Sequence, residues 1–317
     1  MVCVVIVNWN VRELLRACLR ALDAYPATRC AQRIIVVDNA STDGSAEMVC
    51  SAFPAVHLVA NQTNRGFTGG NNDGLRAAAD LFRAQPEADH FVLLLNPDAE
   101  VTAGALDVLL DFALAHPRIG VVGPRLRYPD GRVQSSRRRF PTLATALFES
   151  TPLQPIAPPG LLRRFYAQDL PDNIPVEVDW VVGAAMLVRW AAIQRVGGLD
   201  EGFFMYSEEV DWCRRIKADG WQVWHHPTAE VIHHEAQSSS QVAAQRMIYF
   251  NTSKVRYFAK HHGRRQAELV RLALLGLWGW EWFVESAKWL IGHKRPLRAE
   301  RRRAYAEALR SGFLPAC

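Results

Sequence analysis

What the sequence lacks narrows it first. Its six cysteines (Cys3, Cys18, Cys30, Cys50, Cys213 and Cys317) contain no C-x-x-C pair. That argues against a zinc ribbon and a disulfide framework, and for reduced thiols in a cytoplasmic protein. No basic segment precedes an apolar one at the start, so a secretory leader is not expected. The most apolar region, 269–291, is interrupted by Arg271, Glu281, Glu285 and Lys288, whereas a spanning helix needs roughly 20 predominantly apolar residues. Glycine is missing directly after the first strand-like run, where a dinucleotide-binding dehydrogenase carries G-x-G-x-x-G. There is no G-x-x-x-x-G-K-[ST] loop, and neither His225-His226 nor His233-His234 has the H-E-x-x-H spacing of a zinc protease. The basic residues gather in the tail without a stacking-platform motif, so nucleic acid is not an expected partner.

What is present reads as a large α/β protein. The chain has 317 residues, 49% hydrophobic and 22% charged, with a formal charge of +5, a globular composition. Residues 90–100 organise it. Five apolar residues, Phe91 to Leu95, read as a strand buried on both faces. Pro97 cannot donate to a ladder and holds Asn96 out of helical geometry, so the strand stops there and presents Asp98 at its carboxyl end. Ligands of open α/β sheets bind at that edge, and a carboxylate there suits Mg²⁺ or Mn²⁺, whose other positions go to phosphate oxygens. The plainer alternative is that Asp98 caps a helix starting near Thr102.

Other apolar runs fall at 2–7, 33–37, 56–60 and 120–123, separated by helical patterns at 11–24, after Ser45, up to about residue 84, and at 102–116. Strands alternating with helices imply right-handed crossovers and a mostly parallel sheet. Asn8, Asp38, Arg65 and Asp98 each follow a strand and therefore converge on one rim. The stretch 61–74 reads as a glycine-rich loop. Its asparagines and glycines can offer amide donors to phosphate oxygens, and Arg65 adds a fixed positive charge. The alternative is a structural loop whose glycines permit positive φ.

Farther on, Tyr128-Pro-Asp-Gly-Arg132 is a turn. Segment 135–140 and the Pro-rich 152–160 suggest a long loop over the cleft, with Arg137–Arg139 meeting phosphates, a lipid headgroup or solvent. Strand character returns at 176–188. A helix starting near Ser207 puts Glu209, Trp212, Cys213 and Ile216 on one face, with Glu208 and Asp211 pointing away from its centre. Glu209 is then a carboxylate in the first turn of an apolar face. Burial raises its pKa while the helix N-terminus favours the anion, which suits a general base. Asp211 and Glu208 are the second and third choices for that role.

Four segments carry a resemblance: Val-Val-Ile-Val-Asn-Trp-Asn10, Val-Val-Asp-Asn-Ala-Ser-Thr-Asp-Gly-Ser45, Asn64-Arg-Gly-Phe-Thr-Gly-Gly-Asn-Asn72 and Leu-Asn-Pro-Asp98. In this order they resemble the signatures of family 2 glycosyltransferases, in the rhamnosyltransferase-like branch with the GT-A fold, over roughly 2–240. The resemblance implies inverting transfer of a sugar from a nucleotide-diphosphate donor to a glycan or polyprenyl-linked acceptor, assisted by Mg²⁺ or Mn²⁺. The best guess at the donor is dTDP-rhamnose. Asp38 would contact the nucleotide base or ribose and Asn8 would lie near the base. Asn10, Asn64, Arg65, Gly66, Gly70, Asn71 and Asn96 complete the nucleotide-sugar set. Asp98 stands where the family's D-x-D metal motif has its last acid, with Asn96 in place of the first. Glu209 matches the second acid of the family's acidic pair, the acceptor base. His233 or His234, before a turn at Ser238, matches a position that approaches the metal or diphosphate.

The expected organisation is a catalytic domain over 1–240 and a helical extension over 241–317. In the extension, four tryptophans beside a basic stretch ending at Arg303 fit a helix lying on anionic lipid, at the inner face of the plasma membrane. A helix packed on the catalytic domain or on a second copy in a homodimer fits equally. Two other functions compete: a catalytically silent sugar-nucleotide or glycan-binding subunit, and a nucleotidylyltransferase, which would need a glycine-rich basic loop after its first strand.

Overall fold

The structure is a computed structural model that describes residues 1–83, 89–234 and 243–315. The elements of the first half, in order, are β1 (Val2–Asn8), α1 (Arg12–Ala24), β2 (Gln32–Asp38), α2 (Ser45–Ala52), β3 (His57–Ala60), α3 (Gly66–Phe82), β4 (Phe91–Leu95), β5 (Ala99–Val101), α4 (Ala105–Ala115), β6 (Ile119–Arg127), β7 (Val133–Gln134), β8 (Arg137–Arg138), α5 (Leu143–Phe148) and α6 (Leu161–Phe165). They are followed by β9 (Val176–Glu177), β10 (Trp180–Val181), β11 (Ala185–Arg189), α7 (Trp190–Val196), α8 (Glu208–Ala218), β12 (Gln222–His233), α9 (Ala243–His262), α10 (Arg264–Leu290) and α11 (Arg295–Ser311). The chain divides into two compact units, Met1–Phe140 with Tyr166–Glu201 and Glu208–Ser238, and Pro141–Phe165 with Gly202–Ser207 and Ser239–Cys317. The chain passes between the units more than once. The boundary expected at residue 240 lies outside the described residues.

The first unit is built on a sheet of order β3-β2-β1-β4-β11-β6-β12-β5. β1 pairs in parallel with both β2 and β4, and every residue of β1 and β4 is buried. This is why the sequence reads there as unbroken apolar runs. Each fully buried Val, Leu or Ile contributes about 1.5–3 kcal/mol relative to exposure. α1 covers this sheet with Leu15, Cys18, Leu19 and Leu22, the i, i+3, i+4, i+7 stripe of an amphipathic helix. The register sets Asn8 opposite Asp38 and Leu95 opposite Ala185 of the antiparallel β11. The carboxyl ends of β1, β2 and β4 and the start of β11 therefore share one edge.

The stretch 61–74 departs from the sequence reading. It is a loop only as far as Arg65, because α3 begins at Gly66 and carries Gly70, Asn71 and Gly74 inside it. Gly66 takes a positive φ of 71° at the helix start, while Gly70 and Gly74 serve packing. A Cβ on Gly70 would lie 2.6 Å from Val7 Cγ1, and one on Gly74 would lie 2.2 Å from Val5 Cγ1. The helix thus rests its bare backbone on β1.

The second unit is helical. α9, α10 and α11 pack on one another and α5 packs on α10. Within it, Lys254 Nζ donates to the Glu149 carbonyl at 2.9 Å, Phe204 stacks on Tyr249 at 4.5 Å, and Arg298 Nη1 donates to both carboxylate oxygens of the buried Glu285 at 2.8 and 2.7 Å. Among the described residues no helix is long and apolar enough to cross a membrane.

Candidate active site

Two clusters of polar side chains occupy the shared edge of the first unit. At the ends of β1 and β2, the buried Asn8 donates from Nδ2 to Asp38 Oδ1 at 2.9 Å and to Ser41 Oγ at 3.1 Å. Asp38 Oδ2 accepts the Ser41 N–H at 2.9 Å, and Ser41 Oγ accepts the Asn10 N–H at 3.0 Å. Asn10 Oδ1 in turn accepts the Thr42 N–H at 2.7 Å. The turn chemistry of 39–45 locks both strand ends together and leaves Asn8 Oδ1 buried without a partner among the described residues.

The second cluster lies past β4. Asp98 is buried, and its Oδ1 sits 3.3 Å from His233 Nε2 at the end of β12. His233 Nδ1 lies 2.9 Å from Gln134 Oε1. An amide oxygen there requires Nδ1 to be the donor, so in the neutral ring Nε2 carries the lone pair. That lone pair faces the carboxylate and is 3.3 Å from Asn96 Nδ2. Asn96 Oδ1 is buried and has no partner among the described residues. Electron-rich atoms facing one another, with an idle amide oxygen beside them, fit a divalent cation. Among the described residues no group of three or more His, Cys, Asp or Glu is placed to hold a metal. A site of one carboxylate, one imidazole and one amide oxygen leaves the remaining positions to phosphate and water, as Mg²⁺ sites commonly do.

His234 does not join this cluster. Neighbouring residues on a strand face opposite sides, and His234 Nε2 pairs instead with Glu100 Oε1 at 2.7 Å. Asp98 caps no helix: α4 starts at Ala105 after the left-handed Gly104, and the Asp98 carbonyl accepts the His234 N–H at 2.9 Å. The turn expected at Ser238 lies outside the described residues.

Glu209 stands on the same edge. The Asn96 N–H donates to the Ala184 carbonyl at 2.9 Å, and a Cβ on the adjacent Gly183 would lie 3.6 Å from Glu209 Cβ and 3.7 Å from the Phe67 ring at the start of α3. The chain enters α8 through two consecutive left-handed non-glycine residues, Tyr206 (φ 69°) and Ser207 (φ 63°), a strained conformation of the kind that clusters at functional sites. Glu208 Oε2 and Glu209 Oε2 are both buried without a partner among the described residues. Burial pushes the Glu209 carboxyl up to about 7, against the pull of the N–H groups at the helix start and of the Arg138 charge. Glu208 is raised well above the carboxylate range by burial and then by the charge of Glu209.

The expectation that Glu208 and Asp211 point away from the buried side of α8 does not hold. The helix packs against β10, α7, β6 and β12, so Glu208, Val210, Asp211, Trp212, Cys213 and Ile216 are all buried. Asp211 is bound by Arg215 at 2.8 Å, and Arg215 also donates to the carbonyls of Val196 and Gly198. That makes Asp211 a strut between α8 and α7 rather than a free base.

The glycine-rich signature also resolves differently. Arg65 pairs with Asp73 and with Glu201, the latter at 3.1 Å, so it is not an unclaimed cation. Asn64 Oδ1 accepts the Gly66 N–H, and Asn71 Nδ2 donates to the Phe67 carbonyl one turn back. Gly66 and Gly70 shape α3 and its seat on β1. Arg137 is buried, donates to the carbonyls of Leu170 and Pro171 and pairs with Asp172, so it faces neither phosphate nor solvent. Gln134 was missed by the sequence reading, and Arg138 was read only as part of the basic run Arg137–Arg139. They sit on two-residue strands, which leave no periodicity to find.

A mostly parallel sheet with antiparallel members, polar groups at its carboxyl edge and helices on its faces is the arrangement of the GT-A class of glycosyltransferase folds. A mannosyltransferase from Pyrobaculum calidifontis, solved with GDP-Man and Mn²⁺, superposes with a TM-score of 0.57 at 15% identity over 98% of this chain and 86% of its own. GalNAc-T7, solved with UDP, GalNAc and Mn²⁺, gives 0.55 at 13% identity over 74% and 43%. At such identities the likeness shows the fold. Residues 3–179 match glycosyl transferase family 2. The N-acetylglucosaminyl-diphospho-decaprenol L-rhamnosyltransferase of Mycobacterium tuberculosis (strain ATCC 25618 / H37Rv) is 33% identical over 231 residues, 72% of this chain and 75% of that protein. Rhamnosyltransferase WbbL of Escherichia coli (strain K12) is 26% identical over 273 residues, 82% and 93%. This chain belongs to glycosyl transferase family 2, in its rhamnosyltransferase-like branch, and is a glycosyltransferase.

Proposed function

We propose that this protein transfers rhamnose from dTDP-rhamnose to a hydroxyl of a polyprenyl-linked glycan during cell-surface polysaccharide synthesis, with inversion at the anomeric carbon. The observation that carries the reading is the placing of Asn96, Asp98 and His233 on one sheet edge with Glu209, whose buried Oε2 has no partner among the described residues. The sugar and the acceptor class are supported by the mycobacterial relative at 33% identity.

Asp38 and Asn8 hold the nucleoside end of the donor. Asp98, His233 Nε2 and the Asn96 amide oxygen would hold Mg²⁺ or Mn²⁺, which would offset the charge developing on the departing diphosphate. Glu209 takes the proton from the acceptor hydroxyl as its oxygen attacks the anomeric carbon, and the bond to the diphosphate breaks on the opposite side. A carboxyl raised to about 7 fits that role. It is ionised in a useful fraction at neutral pH, yet basic enough to accept the proton.

Thermal-shift measurement of nucleotide sugars with and without Mn²⁺ tests the reading, since a ligand that binds the native form raises its melting point. dTDP-rhamnose with Mn²⁺ should give the largest shift, and Asp98→Ala should lose the Mn²⁺-dependent part. An undiminished shift in Asp98→Ala would remove the metal from this site, and a larger shift with a different sugar nucleotide would replace rhamnose.

A further inference from the structure

The outer side of α10 is an uninterrupted apolar stripe. Leu269, Leu272, Trp280, Phe283 and Leu290 are 57%, 55%, 62%, 58% and 68% exposed. At 3.6 residues per turn they fall within about 80° of arc, and the stripe runs for most of a helix roughly 40 Å long. Gly276 and Ala287 occupy the remaining positions of that arc and are exposed too, so no polar side chain breaks it. The other side of the helix is spent, with Ala267, Val270, Leu274 and Glu285 buried where α10 packs on α9 and α11. Soluble proteins rarely leave a continuous apolar surface of this kind without a partner.

Charge identifies the partner. Residues 264–311 carry eleven Lys and Arg against five Asp and Glu, an excess that covers all of the chain's formal +5. Exposed cations flank the stripe, Arg264 and Arg265 at one end and Lys294 and Arg295 at the other, and α11 adds the exposed Arg301, Arg303 and Arg310. Pairing two copies along the stripe would set cations against cations, end to opposite end when antiparallel and like end to like end when parallel. An anionic bilayer supplies counter-charge at both ends at once and takes the apolar face between them. Trp280, amphipathic and exposed, is a residue type that favours the headgroup level.

We infer that α10 lies on the surface of an anionic lipid membrane, its apolar stripe in the acyl boundary and its basic ends in the headgroups. The inference does not use the sugar or the acceptor.

Flotation of the full chain with vesicles of phosphatidylglycerol and phosphatidylethanolamine, or of phosphatidylcholine alone, tests it. The protein should float with the anionic vesicles at least tenfold more than with the neutral ones, and 0.5 M salt should reverse most of the difference. The triple variant Trp280→Ser/Phe283→Ser/Leu290→Ser touches only exposed positions and should lose binding by tenfold or more. Unchanged circular dichroism and melting temperature would confirm that it is folded. Lys294→Gln/Arg295→Gln should weaken binding to anionic vesicles alone. Failure of the wild-type chain to float would overturn the inference, as would equal flotation of the triple variant. A dimer on size exclusion that the triple variant dissociates, without vesicle binding, would assign the stripe to a second copy instead.

Discussion

α3 and α8 both begin at the carboxyl edge of the sheet, and both carry a polar signature, but they use it in opposite ways. At the start of α3 nearly every polar group is committed: Asn64 to the Gly66 N–H, Asn71 to the Phe67 carbonyl, Arg65 to Asp73 and Glu201, and Asn72 to the Leu199 carbonyl, with Thr68 Oγ1 the exception. At the start of α8, Glu208 and Glu209 each bury a carboxylate oxygen that nothing described satisfies. Buried polar groups in native proteins are nearly always paired. A paired one explains itself by the fold, and an idle one marks a place where a ligand or a proton is expected.

The comparison can be broken most directly by substitution at each end. Glu209→Gln keeps the shape and removes the base, so kcat should fall by about 10²–10⁴-fold while the thermal shift with donor persists. Asn71→Ala, at the committed end, should leave kcat within a few fold. Loss of donor binding in Glu209→Gln, or a comparable fall in Asn71→Ala, would erase the distinction.

Asp211 sharpens it within a single helix. It lies two residues from Glu209 but is bound by Arg215, so Asp211→Ala should act on stability. Breaking a buried ion pair costs about 3–5 kcal/mol, toward the lower end here because Arg215 is 22% exposed. Urea denaturation measures it. Gly74→Ala should cost about 1–3 kcal/mol by overpacking, because its Cβ would strike the buried Val5 of β1.

The smallest effect expected is a pH dependence. Glu209 in the folded chain titrates near 7 against an ordinary 4.5, so the native state keeps a proton that the unfolded chain has released. Stability from this group is therefore full below about 4.5 and is lost as pH rises through 7, while turnover rises over the same interval as the base ionises. Partial exposure of the residue trims the stability change. Denaturation of wild type and Glu209→Gln at pH 5 and pH 8 should show the two proteins drawing apart as the pH rises, because the amide has no proton to lose. Parallel behaviour would mean that Glu209 titrates normally.

Much of the frame was legible because it is written in neighbours along the chain. The run from Phe91 to Leu95 with its stop at Pro97 is β4 as read, and the strand ends carrying Asn8, Asp38 and Asp98 do share an edge. The glycine-rich stretch misled because its glycines suggest a flexible loop. The reason for Gly70 and Gly74 is the closeness of Val7 and Val5, which come from the first strand, far back along the chain. The face of α8 was misjudged because a helical stripe shows one buried side, and a helix surrounded by β10, α7, β6 and β12 has more than one.

The sequence by itself determined the order of the first four strands and the helices between them, the placing of Asn8, Asp38 and Asp98 at the sheet edge, and the membership in glycosyl transferase family 2. Periodicity, turn chemistry and motif order are local properties, and local properties survive in a linear string. The tertiary structure alone decided that His233 rather than His234 faces Asp98, that Gln134 meets the other side of that ring, that Asp211 is bound while Glu209 keeps one buried oxygen without a partner among the described residues, and that one side of α10 is bare. Each of these depends on burial and on partners supplied from distant parts of the chain, and a side chain's partner is fixed only when the chain has closed around it.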